Sequence, residues 1–216
     1  KKCVNKFKML SDLTKGKLII FAAPSGAGKS SLIKKIVESS DGKIELSVSV
    51  TTRSPREGEE HGRDYFFVTD EEFNALKIDN AFIEHATVHE YQYGTLKTFI
   101  DEKTNSGKDI ILDIDVQGYE QIKKSFVDTI SIFILPPSLE ELEQRLKDRG
   151  LDSENVIKKR LVNAKSELMH AENFDHILVN DNFEKTIEYL KLIIFDEKKS
   201  YDSRKSNNIL KDLLDK

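Results

Sequence analysis

Eight residues constrain this chain more than any others: Ala23-Pro24-Ser25-Gly26-Ala27-Gly28-Lys29-Ser30. Before them lies Lys17–Ala23 (KLIIFAA), a short apolar run with β-branched and aromatic members that reads as a buried strand. After them, Leu32, Ile33, Ile36 and Val37 recur at helical spacing over Ser30–Val37. The order is therefore strand, glycine loop, helix. Gly26 and Gly28 let the backbone turn several N–H groups inward, and the helix adds its positive N-terminal end. The stretch matches G-x-x-x-x-G-K-[ST] except that Ala23 replaces the first glycine, which an ordinary backbone conformation tolerates. In such a loop Lys29 is a point charge for β- and γ-phosphates, and the Ser30 hydroxyl suits Mg²⁺. A chance Gly/Ser turn would not need a strand before it and a helix after it. The segment Ala23 to Ser30 is thus expected to bind the phosphates of a nucleoside triphosphate.

Two more continuous apolar runs, Asp109–Ile114 and Thr129–Leu135, read as central strands of a parallel sheet, and His176–Val179 as another. Helical segments are expected over 96–106, 117–125, 138–149, 153–172 and 183–199. This alternation predicts an α/β fold, a P-loop NTPase-type parallel sheet with helices on both faces. Residues 46–93 break the rhythm with short alternating stretches, Leu46–Thr51 and Asp64–Val68, and read as an inserted β-rich subdomain. The charged segment 138–172, broken at Gly150, reads as a helical pair forming a lid. The tail from Lys198 is polar, frayed or helical.

Composition excludes several classes. The 216 residues fit one domain with inserted subdomains. A net charge of −4 does not suit a general nucleic-acid binder. No apolar run approaches the ~20 residues that span a bilayer. Cys3 is the sole cysteine, so an intrachain disulfide is impossible and a cysteine-based metal site is not expected. No signal peptide is visible, and a cytoplasmic location is the corresponding expectation. His61, His85 and His89 lack metal-ligand spacing and read as surface or packing residues.

Asp113 and Asp115 close the strand IILDID, two apart and so directed to one side, at the carboxyl end where open α/β sheets bind ligands. Such acids can hold the hydration shell of Mg²⁺ or bind a substrate amine; two solvated turn aspartates are the plainer reading. Arg53 and Arg56 flank Ser54-Pro55, and arginine suits bidentate phosphate recognition. Each of these, like Glu84 or Tyr93, has a bland reading alone: a solvated charge, a core aromatic, a turn.

Together they do not. The motifs APSGAGKSS, SVSVTTRSPREGE with GRDYFFV, FIEHA, YGT, ILDIDVQG, PPS with RL and RG, and ILVND occur in one order across residues 17–199. The set resembles guanylate kinase, which phosphorylates GMP with ATP. The resemblance implies a core of 17–45, 96–137 and 173–199, a GMP-binding insert of 46–95 and a lid of 138–172, with 1–16 and 200–216 as extensions. It implies that Arg53 and Arg56 bind the GMP phosphate with Tyr65 and Tyr93, and that Ser49 and Glu84 read the guanine edge with Thr95 nearby. Asp115 is expected near the guanine amino group, and Asp113 near the metal and phosphates, acting through water beside Ser30. Arg145, Arg149 and Arg160 match the family's lid arginines; Asn180 matches its adenine-side residue. The reaction implied is ATP and GMP, and dGMP as well, to ADP and the diphosphate, with Mg²⁺ as cofactor, in purine metabolism.

Two other readings compete. Guanylate-kinase-like modules also serve as non-catalytic scaffolds that bind phosphorylated peptides, but their phosphate loop is usually degraded; here Gly26, Gly28, Lys29 and Ser30 are intact. A different nucleoside monophosphate kinase or a P-loop regulator would not favour a carboxylate at Glu84. The sequence leaves the oligomeric state open.

Overall fold

The computed structural model describes residues 15–88, 90–125, 129–150, 152–196 and 201–215. Cys3, His89 and the segment 1–14 lie outside them. A five-stranded sheet runs in the order β2 (Ile44–Leu46), β7 (Asp109–Asp113), β1 (Leu18–Ala22), β8 (Thr129–Leu135), β9 (His176–Val179). The pairs β2–β7 and β8–β9 are parallel, in registers such as Ile44↔Asp109 and Ile132↔His176. Every residue of β1 is buried, as are Ile110–Leu112 and Ser131–Leu135. Continuous burial is what a strand covered on both faces requires, so the α/β expectation holds.

By contacts the chain forms two compact units. The first comprises residues up to Leu18, Gly42–Leu112 and Gln117–Thr129. It carries a four-stranded mixed sheet ordered β4 (Phe66–Phe67), β3 (Val50–Thr51), β6 (Tyr91–Leu96), β5 (Phe82–Val88). Its small core joins Val50, Phe73 and Phe82, the two rings stacked 4.6 Å apart. Gly94 lies under Phe82: a Cβ there would stand 2.8 Å from the ring, so the glycine of YGT is a packing requirement.

The second unit comprises Ile19–Asp41, Asp113–Val116 and the chain from Ile130. Here α1 (Lys29–Glu38) packs on a later helix, Phe183–Phe195. The pair Leu139–Asp148 and Glu154–Leu168 shares a core of Leu142, Leu146, Ile157 and Ala164.

Numbered in chain order, the remaining helices are α2 (Asp70–Ile78), α3 (Lys97–Asn105), α4 (Val116–Ser125), α5 (Leu139–Asp148), α6 (Glu154–Leu168), α7 (Phe183–Phe195) and α8 (Arg204–Leu214). Most fall where spacing predicts them. The polar tail is helical rather than frayed over α8, which buries Leu210 and Leu213 and packs on α6 and β9.

The β-rich stretch 46–93 also holds α2, nucleated by a capping box in which Thr69 Oγ1 accepts from Glu72 N and Glu72 Oε2 accepts from Thr69 N. Two details differ from expectation. Leu46–Thr51 is not one strand, because β2 joins the parallel sheet and β3 the mixed one. Asp115 is not on the strand, which ends at Asp113, so strand alternation does not aim it.

Candidate active site

In the second unit the phosphate loop is a turn closed by Ala27 N donating to Pro24 O (3.0 Å). Ala23 stays out of the positive-φ region, so its methyl costs nothing there. Gly28 caps α1 at φ 94°, which favours glycine. Gly26 is needed for space as well, since a Cβ would meet Leu142 Cδ1 at 2.9 Å. Ser30 and Ser31 are exposed on the first turn of α1.

Lys29 is held by Asp113, Nζ to Oδ1 at 2.5 Å, and donates to Ile114 O at 3.2 Å. The lysine therefore sits at the carboxyl end of β7 with its charge already oriented. Arg160, on α6, donates to Ser25 Oγ at 2.7 Å and is steadied by Asp152. Arg145 pairs with Glu141 and donates to Asn180 O at 3.1 Å. Asn180 is buried; its Nδ2 donates to Ala27 O at 2.8 Å. A cavity of about 550 Å³ opens here, lined among others by Gly28, Ser31, Arg145, Arg149, Asn180 and Phe183. Arg149 is exposed at its wall.

The first unit assembles the other residues. Glu84 is buried, and its Oε1 accepts from Thr95 Oγ1 at 2.6 Å. Strand register explains the meeting, because Glu84 lies opposite Thr95 across β5–β6. Ser49 Oγ is 3.5 Å from the same Thr95 hydroxyl. Arg53 is buried, its Nη2 on Glu59 Oε1 at 2.9 Å, its guanidinium 5.4 Å from the Tyr65 ring centre. Glu59 and the Tyr93 hydroxyl raise the Arg53 pKa against the cost of burial, and Arg53 in turn lowers that of Glu59. Tyr65 and Tyr93 meet edge to face, 6.1 Å apart. Arg56 is exposed, with its backbone N–H on Glu59 Oε2. Within the first unit Ser49 and Glu84 meet at Thr95, and Arg53 and Tyr93 meet at Tyr65. The second unit holds the loop with Asp113, Arg145, Arg149 and Arg160. Asp113 and Asp115 belong to the second unit.

His61 accepts from Phe67 N through Nδ1 and packs edge-on to Phe66. His85 packs against Phe82, and burial lowers its pKa. Both behave as packing residues. Sequence reasoning missed Glu59, the partner of Arg53, and Phe183, an aromatic wall of the cavity. It also missed Glu167, whose Oε2 is buried without a hydrogen-bond partner. Burial pushes the Glu167 carboxyl up to about 7; Asp115 adds to the rise and Lys29 opposes it. It lies on a face of its helix that also carries Arg160, so no local pattern marks it.

Known proteins resemble this chain over most of its length. A family model described as guanylate kinase matches residues 15–197. Guanylate kinase of Rickettsia bellii (strain RML369-C) is 46% identical over 185 residues, 86% of this chain and 96% of its own length. That of Legionella pneumophila (strain Paris) is 49% identical over 186 residues, 86% of this chain and 88% of its own. The crystal structure of guanylate kinase from Anaplasma phagocytophilum superposes with a TM-score of 0.68 at 32% identity, covering 87% of this chain and 88% of that one. With the phosphate loop and its lysine in place, and with family model, relatives and solved structure agreeing over most of its length, the chain belongs to the guanylate kinase family of ATP:GMP phosphotransferases.

Proposed function

We propose that GMP is read by the Glu84 cluster and ATP by the phosphate loop, so that the two sites described above are acceptor and donor sites of one kinase. The observation that carries this is Glu84, a buried carboxylate whose Oε1 is fixed by Thr95 at 2.6 Å. Guanine presents N1–H and N2–H donors side by side, and a carboxylate accepts both. Ser49 donates to O6. Adenine offers an acceptor where guanine donates, so it would leave Glu84 unpaired, and sites built on such bonds reject a wrong partner by roughly 10⁴-fold. The GMP phosphate falls to Arg53, Arg56, Tyr65 and Tyr93, and Asp115 to the guanine amino group. On this reading residues 46–95 are the acceptor insert and 138–172 the lid of a core formed by 17–45, 96–137 and 173–199.

On the donor side, backbone N–H groups of Ser25–Ser30 take the phosphates, and Asn180 and Phe183 flank the base. Kinases of this family use ATP with a divalent metal, and we take it to be Mg²⁺. The donors fit: Ser30 is an exposed hydroxyl on the first helical turn and Asp113 a hard carboxylate beside Lys29. Among the described residues no group of three or more His, Cys, Asp or Glu could hold a metal, which suits an ion held largely by phosphates and water. When bound, it neutralises charge on the transferring group. A GMP phosphate oxygen attacks the γ-phosphorus, the bond to the β–γ bridging oxygen breaks, and ADP leaves. The nucleophile is already anionic, so no strong general base is needed; orientation and positive charge carry the catalysis. Lys29, Arg145, Arg149 and Arg160 supply that charge.

A coupled ADP-release assay with ATP, Mg²⁺ and GMP, dGMP or AMP tests the assignment. Turnover with GMP that AMP does not support is expected. ATP binding without turnover on any monophosphate would overturn it.

A further inference from the structure

Glu167 is the one described carboxylate oxygen that is buried without a hydrogen-bond donor. It lies near the end of α6, on the face that carries Arg160 and Ala164. Arg160 bonds Ser25 of the phosphate loop, so this face of α6 is the one turned to the loop. The charges that act on Glu167 come from two other segments: Lys29 at the start of α1 and Asp115 after β7. Lys29 is already paired with Asp113, and Arg160 is taken up by Asp152 and Ser25. An ionised Glu167 would therefore draw on a lysine that already has a carboxylate partner, and Asp115 would oppose its charge.

We propose that Glu167 is a positioning residue of the donor site that is neutral while polyphosphate is bound, taking up a proton from solvent when the nucleotide arrives above neutral pH. The inference rests on the donor-site reading given above. A polyphosphate brings several negative charges to Lys29. An ionised Glu167 would compete with them for that lysine; a protonated one does not, and its O–H is a donor rather than a second repelling oxygen. The same burial that holds its pKa near 7 in the free protein makes this proton available at little cost under neutral conditions. Below pH 6 the group is already protonated, so binding takes up nothing. Above pH 7 uptake approaches one proton, and nucleotide affinity falls by up to about tenfold per pH unit.

Mg²⁺–ADP binding is measured by calorimetry at pH 6 and 7.8, in buffers of different ionisation enthalpy, for the wild type and Glu167→Gln. The nucleotide's own protons cancel in that comparison. The expected result is an extra uptake of ~0.8 proton by the wild type at the higher pH only, and a flatter affinity profile for the variant. Carbon NMR of the glutamate carboxyls in the wild type needs no stable variant: one resonance should titrate near 7 and stay neutral when ADP is added. Equal proton uptake by both proteins, or no carboxyl titrating above 6, overturns the role of Glu167. If the wild type gives no binding heat at either pH, the donor-site reading itself falls.

Discussion

Replacing Gly28 by alanine tests how tightly the phosphate loop is built. At φ 94° and ψ 12° the new residue would be left-handed, which costs roughly 1–2 kcal/mol for a residue with a Cβ. The methyl would also stand 2.4 Å from Asn180 Nδ2. Asn180 cannot yield through its backbone, whose N–H is tied to Leu135 O at 2.9 Å and whose carbonyl accepts from Arg145. Its side chain must rotate instead, breaking the 2.8 Å bond to Ala27 O. Leaving that buried amide unmatched adds about 1–3 kcal/mol. The sum is about 2–5 kcal/mol, a large share of the ~5–15 kcal/mol that holds an ordinary domain together. Urea unfolding of the wild type, Gly28→Ala, Asn180→Ala and the double variant separates the two causes. In the Asn180→Ala background only the backbone strain remains, so the cost of Gly28→Ala should shrink by about 1–3 kcal/mol. Equal costs in both backgrounds would refute the collision and leave strain as the whole effect.

Lys29→Ala should lower kcat by roughly 10²–10³-fold, the scale of losing one preorganised charge at the transferring group, and near-normal turnover in the coupled assay would remove Lys29 from the mechanism. Glu84→Gln keeps an acceptor for Thr95 but turns an N–H toward the guanine N–H groups; kcat/KM for GMP should fall by about 1–3 kcal/mol, roughly 5- to 150-fold, and an unchanged GMP-to-AMP ratio would count against its role. Glu167→Gln also has a stability signature. The folded-state pKa of about 7 exceeds the ordinary 4.5 of the unfolded chain, so the wild type loses stability as pH rises between those values. The variant escapes this, and its stability relative to the wild type should rise by about 2–3 kcal/mol from pH 5 to 8; a flat difference in urea midpoints would show that Glu167 titrates normally.

What was legible in the sequence follows from which forces are local. The runs in β1, β7 and β8 are apolar at successive positions because both faces are covered, and that pattern needs no knowledge of the partner strand. The glycine loop is legible for a similar reason, since its conformation is written in Gly26 and Gly28. By contrast, α2 fully buries only Phe73, so its periodicity is faint and its one clear mark is the cap Thr69-Asp70-Glu71-Glu72. The three-residue β2 is apolar enough to pair with β7 but too short to stand apart from the alternating stretch that follows.

Site residues divide along the same line. Residue types and motif order name Lys29, Arg53, Glu84 and Asp113, yet their pairings are tertiary. Lys29 meets Asp113 only because β7 ends where α1 begins, and Glu84 meets Thr95 only through the β5–β6 register. Glu59 looks like one more solvated charge in a segment rich in them until Arg53 is seen to need a counter-ion in a buried place. Glu167 is the extreme case. In the sequence it is one of two acids on a charged helix, the other being Glu154; what sets it apart is the absence of any donor at a buried oxygen, which only packing creates. Buried groups without partners carry a cost that the fold must offset elsewhere. A carboxyl left in that condition within the field of Lys29 is therefore better explained by the chemistry of the site than by the stability of the helix that carries it.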